Sequence, residues 1–178
     1  KCNHARQTGY FERLYWRLAA TEATAAKYQG NGRRHCANNA SQACAQKQMI
    51  GIDTNILLRL ATGDDARQVK KITQWLTTHA PDALLHVNQI VLAEALWTMK
   101  ASYGYNREHI VTFMEALLGN AAFDIEDEAI VEDALDMFVS SKADFPDCLI
   151  FARNNRLCES TITFDRATNK LPGFVDLN

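Results

Sequence analysis

Nowhere does the chain hold the run of about 20 apolar residues needed to cross a bilayer, and its first residues lack the apolar core of a signal peptide. Cysteine is too sparse and too scattered for a staple framework. Cys2, Cys36, Cys44, Cys148 and Cys158 are odd in number and contain no CxxC pair. His35 and Cys36 ahead of Cys44 do not have the paired spacing of a zinc site. No glycine-rich phosphate loop, internal repeat or low-complexity tract is present. These absences leave a soluble, cytoplasmic protein with reduced thiols as the expectation, with no membrane partner.

What is present suits one ordinary domain, since 178 residues at 47% hydrophobic can bury a normal core. The net charge of −2 conceals a division at Met49. Residues 1–48 hold eight Lys and Arg against two Glu, a balance of +6, so the remaining residues hold eleven against nineteen, or −8. The basic segment carries one short helical pattern, Phe11 to Lys27, followed by GNGRRHCANNASQACAQKQ, which has almost nothing to bury. It reads as a poorly structured tail, 1–48, ahead of a folded domain, 49–178. Met49 stands directly before the first convincing strand and is a candidate for the natural start.

From Met49 onward, strand and helix patterns alternate. Met49–Asp53 reads as a buried strand followed by a short helix to Leu60. Asp65–His79 and Gln89–Tyr103 read as helices, the second capped by Asn88, with the strand Leu84–Val87 between them. A helix over Arg107–Leu118 closed by Gly119 and Asn120 leads to a strand, Ala122–Ile125, and then to the helix Glu128–Ser140. A capped helix over Asp144–Cys158 and the strands Thr161–Phe164 and Phe174–Leu177 complete the chain. Such alternation implies a three-layer α/β/α sandwich around a central parallel sheet of four to five strands.

Acidic residues fall at awkward places in this scheme. Asp53 ends the first strand, where open parallel sheets collect ligands, and as Asp-Thr-Asn it is also good capping chemistry. Glu94 lies in IVLAEALW, so exposing it would expose large apolar neighbours, and burying it would demand a counter-charge or a polar seam. In ADFPDCLI, Asp144 and Asp147 bracket Pro146 in the first turn of a helix, as a capping box would, and point outward as a ligand set would. Asp165 ends a second short strand, TITFD. If the sheet gathers these ends, three or four carboxylates share a pocket whose mutual repulsion a divalent ion relieves. Oxygen donors alone point to Mg²⁺ or Mn²⁺.

The order and separation of these segments resemble the PIN-domain ribonucleases, most closely the VapC-type toxins of toxin–antitoxin pairs, over Met49 to Asn178. The resemblance implies that Asp53, Glu94, Asp147 and Asp165 are the catalytic metal ligands, with Asp144 an additional acid beside them. Thr54, Asn55 and Thr163 match polar supporting positions. It further implies Mg²⁺-dependent cleavage of RNA to a 5′-phosphate and a 3′-hydroxyl, a homodimer, and a cognate antitoxin that covers the groove. Arg67, Lys70, Lys71, Lys100, Arg107, Arg153, Arg156 and Arg166 are candidates for the rim that meets the RNA backbone. The basic tail departs from the family pattern.

Two other readings compete. One is a PIN-like module that binds RNA or protein without catalysis, its acids serving as caps. The other is a phosphatase whose nucleophilic aspartate ends the first strand, but Asn55 stands where that pattern requires a second aspartate.

Overall fold

The structure, a computed structural model, describes residues 48–165, 168 and 172–177. The tail 1–47, its helical pattern at Phe11 to Lys27, and Arg166 lie outside the described residues. Strand β1 (Met49–Gly51) leads into helices α1 (Thr54–Thr62) and α2 (Ala66–His79), then β2 (Leu84–Val87), α3 (Gln89–Ala101) and α4 (Arg107–Leu118). After β3 (Phe123–Ile125) come α5 (Glu128–Ser140), α6 (Phe145–Asn154), β4 (Thr161–Thr163) and β5 (Phe174–Asp176).

Short polar residues set the helix starts. The carboxylate of Asp53 accepts from the Ile56 backbone N–H at 2.8 Å. Asp65 accepts from Arg67 and Gln68, Asn88 from Val91, and Asn106 from His109. Each bond satisfies an amide that the first helical turn would otherwise leave unmatched. At the other end of α1, Gly63 takes the left-handed conformation, φ 63°, and its N–H closes on the Arg59 carbonyl.

β1, β2 and β3 form a parallel sheet in that order, with Ile50 opposite Leu85 and His86 opposite Asp124. Alternation then sorts the two faces. Leu85, Val87, Phe123 and Ile125 enter the core with Leu57, Leu92, Leu96, Met99, Met114 and Val131. Burying each of the larger side chains contributes about 2 kcal/mol. Met49, Gly51, Leu84, His86 and Asp124 share the opposite, less covered face, where His86 and Asp124 are joined at 2.7 Å. Helices α5 and α6 pack closely, and α3 touches both α1, the helix that follows β1, and α6.

All five strands pair in the parallel sense, as the expected α/β architecture requires, but their hydrogen bonding divides. β4 and β5 form a separate two-stranded ladder, Thr161 opposite Phe174 and Thr163 opposite Asp176. Among the described residues no ladder joins this pair to β1, so the expected sheet of four to five strands is a sheet of three with a pair beside it. The outer side chains agree, since Ile162 and Phe164 are 67% and 70% exposed. The pair is tied to α6 by Phe151 stacked on Phe174 at 5.7 Å and by Asn154 donating to the Thr161 hydroxyl at 3.1 Å. Gly173, φ 86°, permits the close approach: a Cβ there would lie 2.8 Å from the Phe151 ring.

Candidate active site

Asp53 follows β1 and begins α1, exposed, with one carboxylate oxygen on the Ile56 amide. It is therefore a cap, and its second oxygen faces away from that bond. The next residue makes the long-range link. The Thr54 hydroxyl donates to Oε2 of Glu94 at 2.5 Å, across 40 positions in the chain. Packing of α1 on α3 thus sets Glu94 beside the turn that carries Asp53.

Glu94 is exposed rather than buried. Its exposure does bring apolar neighbours into solvent, but not all of them: Ile90 and Trp97, one turn before and one turn after it, are 78% and 63% exposed, while Val91, Leu92 and Leu96 stay buried. Glu94, Ile90 and Ala93 line an open groove of about 700 Å³ together with Pro146, Leu149, Ile150 and Arg153 of α6. Glu94 and the first turn of α6 therefore border one groove.

At that first turn, the expected capping box does not close. Asp144 holds the cap position, but its carboxylate makes no capping bond and pairs instead with Lys100 of α3 at 2.5 Å. Asp147, in the same turn, lies close enough to the Asp144 backbone amide for that dipole to favour its ionised form. Burial pushes the Asp147 carboxyl up from the usual carboxylate range. Asp165 and Asp144 push it further, and the Asp144 amide and Lys100 pull the other way without prevailing. Asp165, 18 residues on and beyond β4, is thus close enough to act on Asp147 through its charge. Its backbone is held by threonines: the Asp165 N–H donates to Thr163 Oγ1 at 2.9 Å, and the Thr168 hydroxyl donates to the Asp165 carbonyl at 3.0 Å.

The acids therefore stand in two groups. Glu94 is tied through Thr54 to the turn that carries Asp53, while Asp144 and Asp165 lie near enough to Asp147 to act on it through their charge. Among the described residues no three carboxylate, histidine or cysteine side chains lie close enough to share a metal ion. The donor chemistry, all oxygen with Asp147 under repulsion from two neighbours, suits a hard divalent cation; the side-chain positions do not close around one.

Several basic candidates for the rim are engaged elsewhere. Arg153 pairs with Asp127 and Arg156 with Asp133. Arg107 turns inward to the carbonyls of Ser141 and Ala143. Arg67, Lys70 and Lys71 are exposed on α2. Local spacing does not single out Lys100 as the partner of Asp144, because the two are 44 positions apart and meet only through α3–α6 packing.

Among curated proteins the chain is 25% identical over 129 residues to a VapC ribonuclease of Aquifex aeolicus (strain VF5), a match spanning 71% of this chain and 94% of that protein. A solved toxin–antitoxin complex from Klebsiella pneumoniae contains a chain of 25% identity, matched over 72% of this chain and 95% of that one, with a TM-score of 0.27, too low to compare the two shapes. The family model described as PIN domain matches residues 50–173, from the first strand to the approach to the last. With well over half of its length matched, and with acids following β1, within α3, at the start of α6 and after β4, the chain belongs to the PIN domain family.

Proposed function

We propose that this protein is a metal-dependent endoribonuclease, the toxin of a toxin–antitoxin pair, and that Asp53, Glu94, Asp147 and Asp165, with Asp144 beside them, would hold Mg²⁺ or Mn²⁺. The observation that carries the reading is the state of Asp147: a carboxyl raised by burial and by two other acids is a site built to gain a positive charge. Family membership and the ribonuclease named among its relatives supply the reaction class.

A divalent cation bound there supplies Lewis acidity and charge neutralisation at a phosphodiester. The chain's own residues do the positioning. Thr54 orients Glu94, leaving its other oxygen for water or metal. Lys100 restrains Asp144, and Thr163 and Thr168 fix the turn that presents Asp165. In a domain of balance −8, the neutralising ion also lets an RNA backbone approach.

Partners follow from the surface. The groove of Glu94, Ile90 and Ile150 is apolar along its walls and acidic at its end. An antitoxin segment with an apolar face and a terminal arginine or lysine would cover the apolar walls and place a cation at the acids without Lewis acidity. The remaining exposed apolar residues would suit a homodimer. The absence of a membrane-length helix among the described residues accords with action in the cytoplasm.

The deciding experiment incubates the full chain with total RNA, with Mg²⁺ or Mn²⁺ and with EDTA, beside Asp147→Asn and Glu94→Gln. Cleavage that needs the metal and both acids supports the reading; cleavage indifferent to EDTA and to both substitutions overturns it. The second reading, a non-catalytic RNA- or protein-binding module, is favoured by the lack of a closed ligand trio and by the capping bond of Asp53. It predicts no cleavage and no rise in melting temperature on adding Mn²⁺.

A further inference from the structure

A second cavity, of about 290 Å³, lies between the C-terminal half of α3, the start of α4, the end of α5 and the first turn of α6. It adjoins the acids. Asp144 lines it, and Pro146 borders both this cavity and the groove of Glu94. Its polar lining is dominated by donors: Lys100, Arg107 and Lys142. The Asp144 carboxylate is already bonded to Lys100, so the charge left to a ligand is positive.

Arg107 is held with unusual care for a residue of α4. Its Nη2 donates to the Ser141 carbonyl at 3.0 Å and to the Ala143 carbonyl at 2.7 Å, and the guanidinium carbon lies 3.7 Å above the Phe138 ring. Its Nη1 is buried and finds no acceptor among the described residues. A buried guanidinium N–H without an acceptor is costly, so Arg107 brings to the cavity wall an anchored positive charge that its own bonds do not fully satisfy. At the rim, Trp97 keeps most of its indole in solvent, with Tyr105 half-buried in the same lining. An open aromatic face beside amines is how single-stranded nucleic acid is held: the base stacks and the phosphate meets the cations.

We propose that this cavity receives the unpaired nucleotide next to the scissile phosphate, with its base on Trp97, its phosphate at Lys142, and a carbonyl of the base edge turned toward the Arg107 guanidinium. Guanine and uracil present carbonyl acceptors where adenine and cytosine present amino donors, so a donor-rich lining selects the keto bases. The inference rests on the ribonuclease reading and adds to it a position at which sequence is read. It also gives Lys100 two duties, restraining Asp144 and marking the boundary between the acids and the base.

The test uses the full chain carrying Asp147→Asn, to stop cleavage, and measures anisotropy of labelled single-stranded oligoribonucleotides that differ at one position. Binding should favour guanine or uracil there. Adding Trp97→Ala should weaken binding roughly tenfold. Lys142→Gln should weaken it for every base and lower the salt slope by about one. Arg107→Lys, with its fold checked by melting, should flatten the base preference; if that variant does not fold, crosslinking of 4-thiouridine RNA to Trp97 or Tyr105 takes its place. RNA bound equally by all variants, while the native chain still cleaves, overturns the cavity assignment and leaves the nuclease intact. An acidic peptide held at these residues in place of RNA also overturns it. A chain that neither binds nor cleaves RNA removes the nuclease reading itself, and this inference with it.

Discussion

The hydroxyl of Thr54 donates to the carboxylate of Glu94 at 2.5 Å, joining the first residue of α1 to the middle of α3. Because Glu94 is exposed, the bond contributes little to stability, well under about 1 kcal/mol. Its effect lies in orientation. Thr54→Val keeps the shape and removes the donor, so the melting temperature should hold within a degree or two while the rate of RNA cleavage falls roughly tenfold, the usual loss for a supporting partner. Steady-state kinetics on a defined RNA checks this; an unchanged rate would show that Glu94 needs no orienting hydroxyl.

At Asp147 stability and activity should move in opposite directions. The carboxyl is raised, so at neutral pH its ionised form is disfavoured in the folded chain, and Asn removes the charge that Asp165 and Asp144 oppose. Asp147→Asn is expected to raise the melting temperature by a few degrees and to abolish cleavage. The native chain should gain thermal stability on adding Mn²⁺, and the variant should gain less. Calorimetry with and without the ion measures both, and a variant that melts lower than native would refute the repulsion.

Asp64 provides a pH dependence remote from the acids. Burial pushes its carboxyl up, but hydrogen bonds from Tyr103 at 2.8 Å, Thr62 at 3.0 Å and Arg59 at 2.5 Å outweigh it, and the net shift is downward. A carboxyl lowered in the folded state stabilises the fold above its unfolded value of about 3.9, and that contribution disappears as pH falls through the lower, folded value. Between about pH 5 and pH 3, native protein should lose more stability than Asp64→Asn does. Equal losses in parallel urea titrations would show that the Arg59–Asp64–Tyr103 network carries no pH-linked stability.

Gly173 is the residue whose side chain cannot grow. Alanine there meets the Phe151 ring and forces a positive φ, at a combined cost of about 2 kcal/mol. Gly173→Ala should lower the melting temperature by roughly 4–8 °C and speed amide exchange across Thr161–Thr163 and Phe174–Asp176. If exchange there stays native, the strand pair does not depend on this close approach.

Much of the fold was legible because periodicity and caps are local. Asn88 announced its helix, and the strands were marked by short apolar runs ending in polar residues, whereas the capping roles of Asp65 and Asn106 emerged only from the structure. What local pattern cannot encode is which strand bonds to which. TITFD reads as a further strand of the main sheet, yet among the described residues its ladder is with β5, and the side chains of Ile162 and Phe164 stay largely exposed. The site followed the same division. Each acid was singled out from its setting, but the grouping into Thr54-linked and α6-linked sets depends on contacts between residues 40 and 44 positions apart. Trp97 and Lys142 carried no local signal, because an aromatic residue on an apolar helix reads as core and a lysine after a helix reads as solvated.

The last pair of strands holds Asp165 at its end, and one aromatic stack and one amide-to-hydroxyl bond are among the contacts that tether it to α6. Such a mounting acts as an adjustable arm. Changing the size or tilt of the Phe174 ring would alter how far that carboxylate reaches toward Asp147 without altering any acid. The reach of Asp165 is thereby set by an aromatic clasp behind it, at positions that carry no charge of their own.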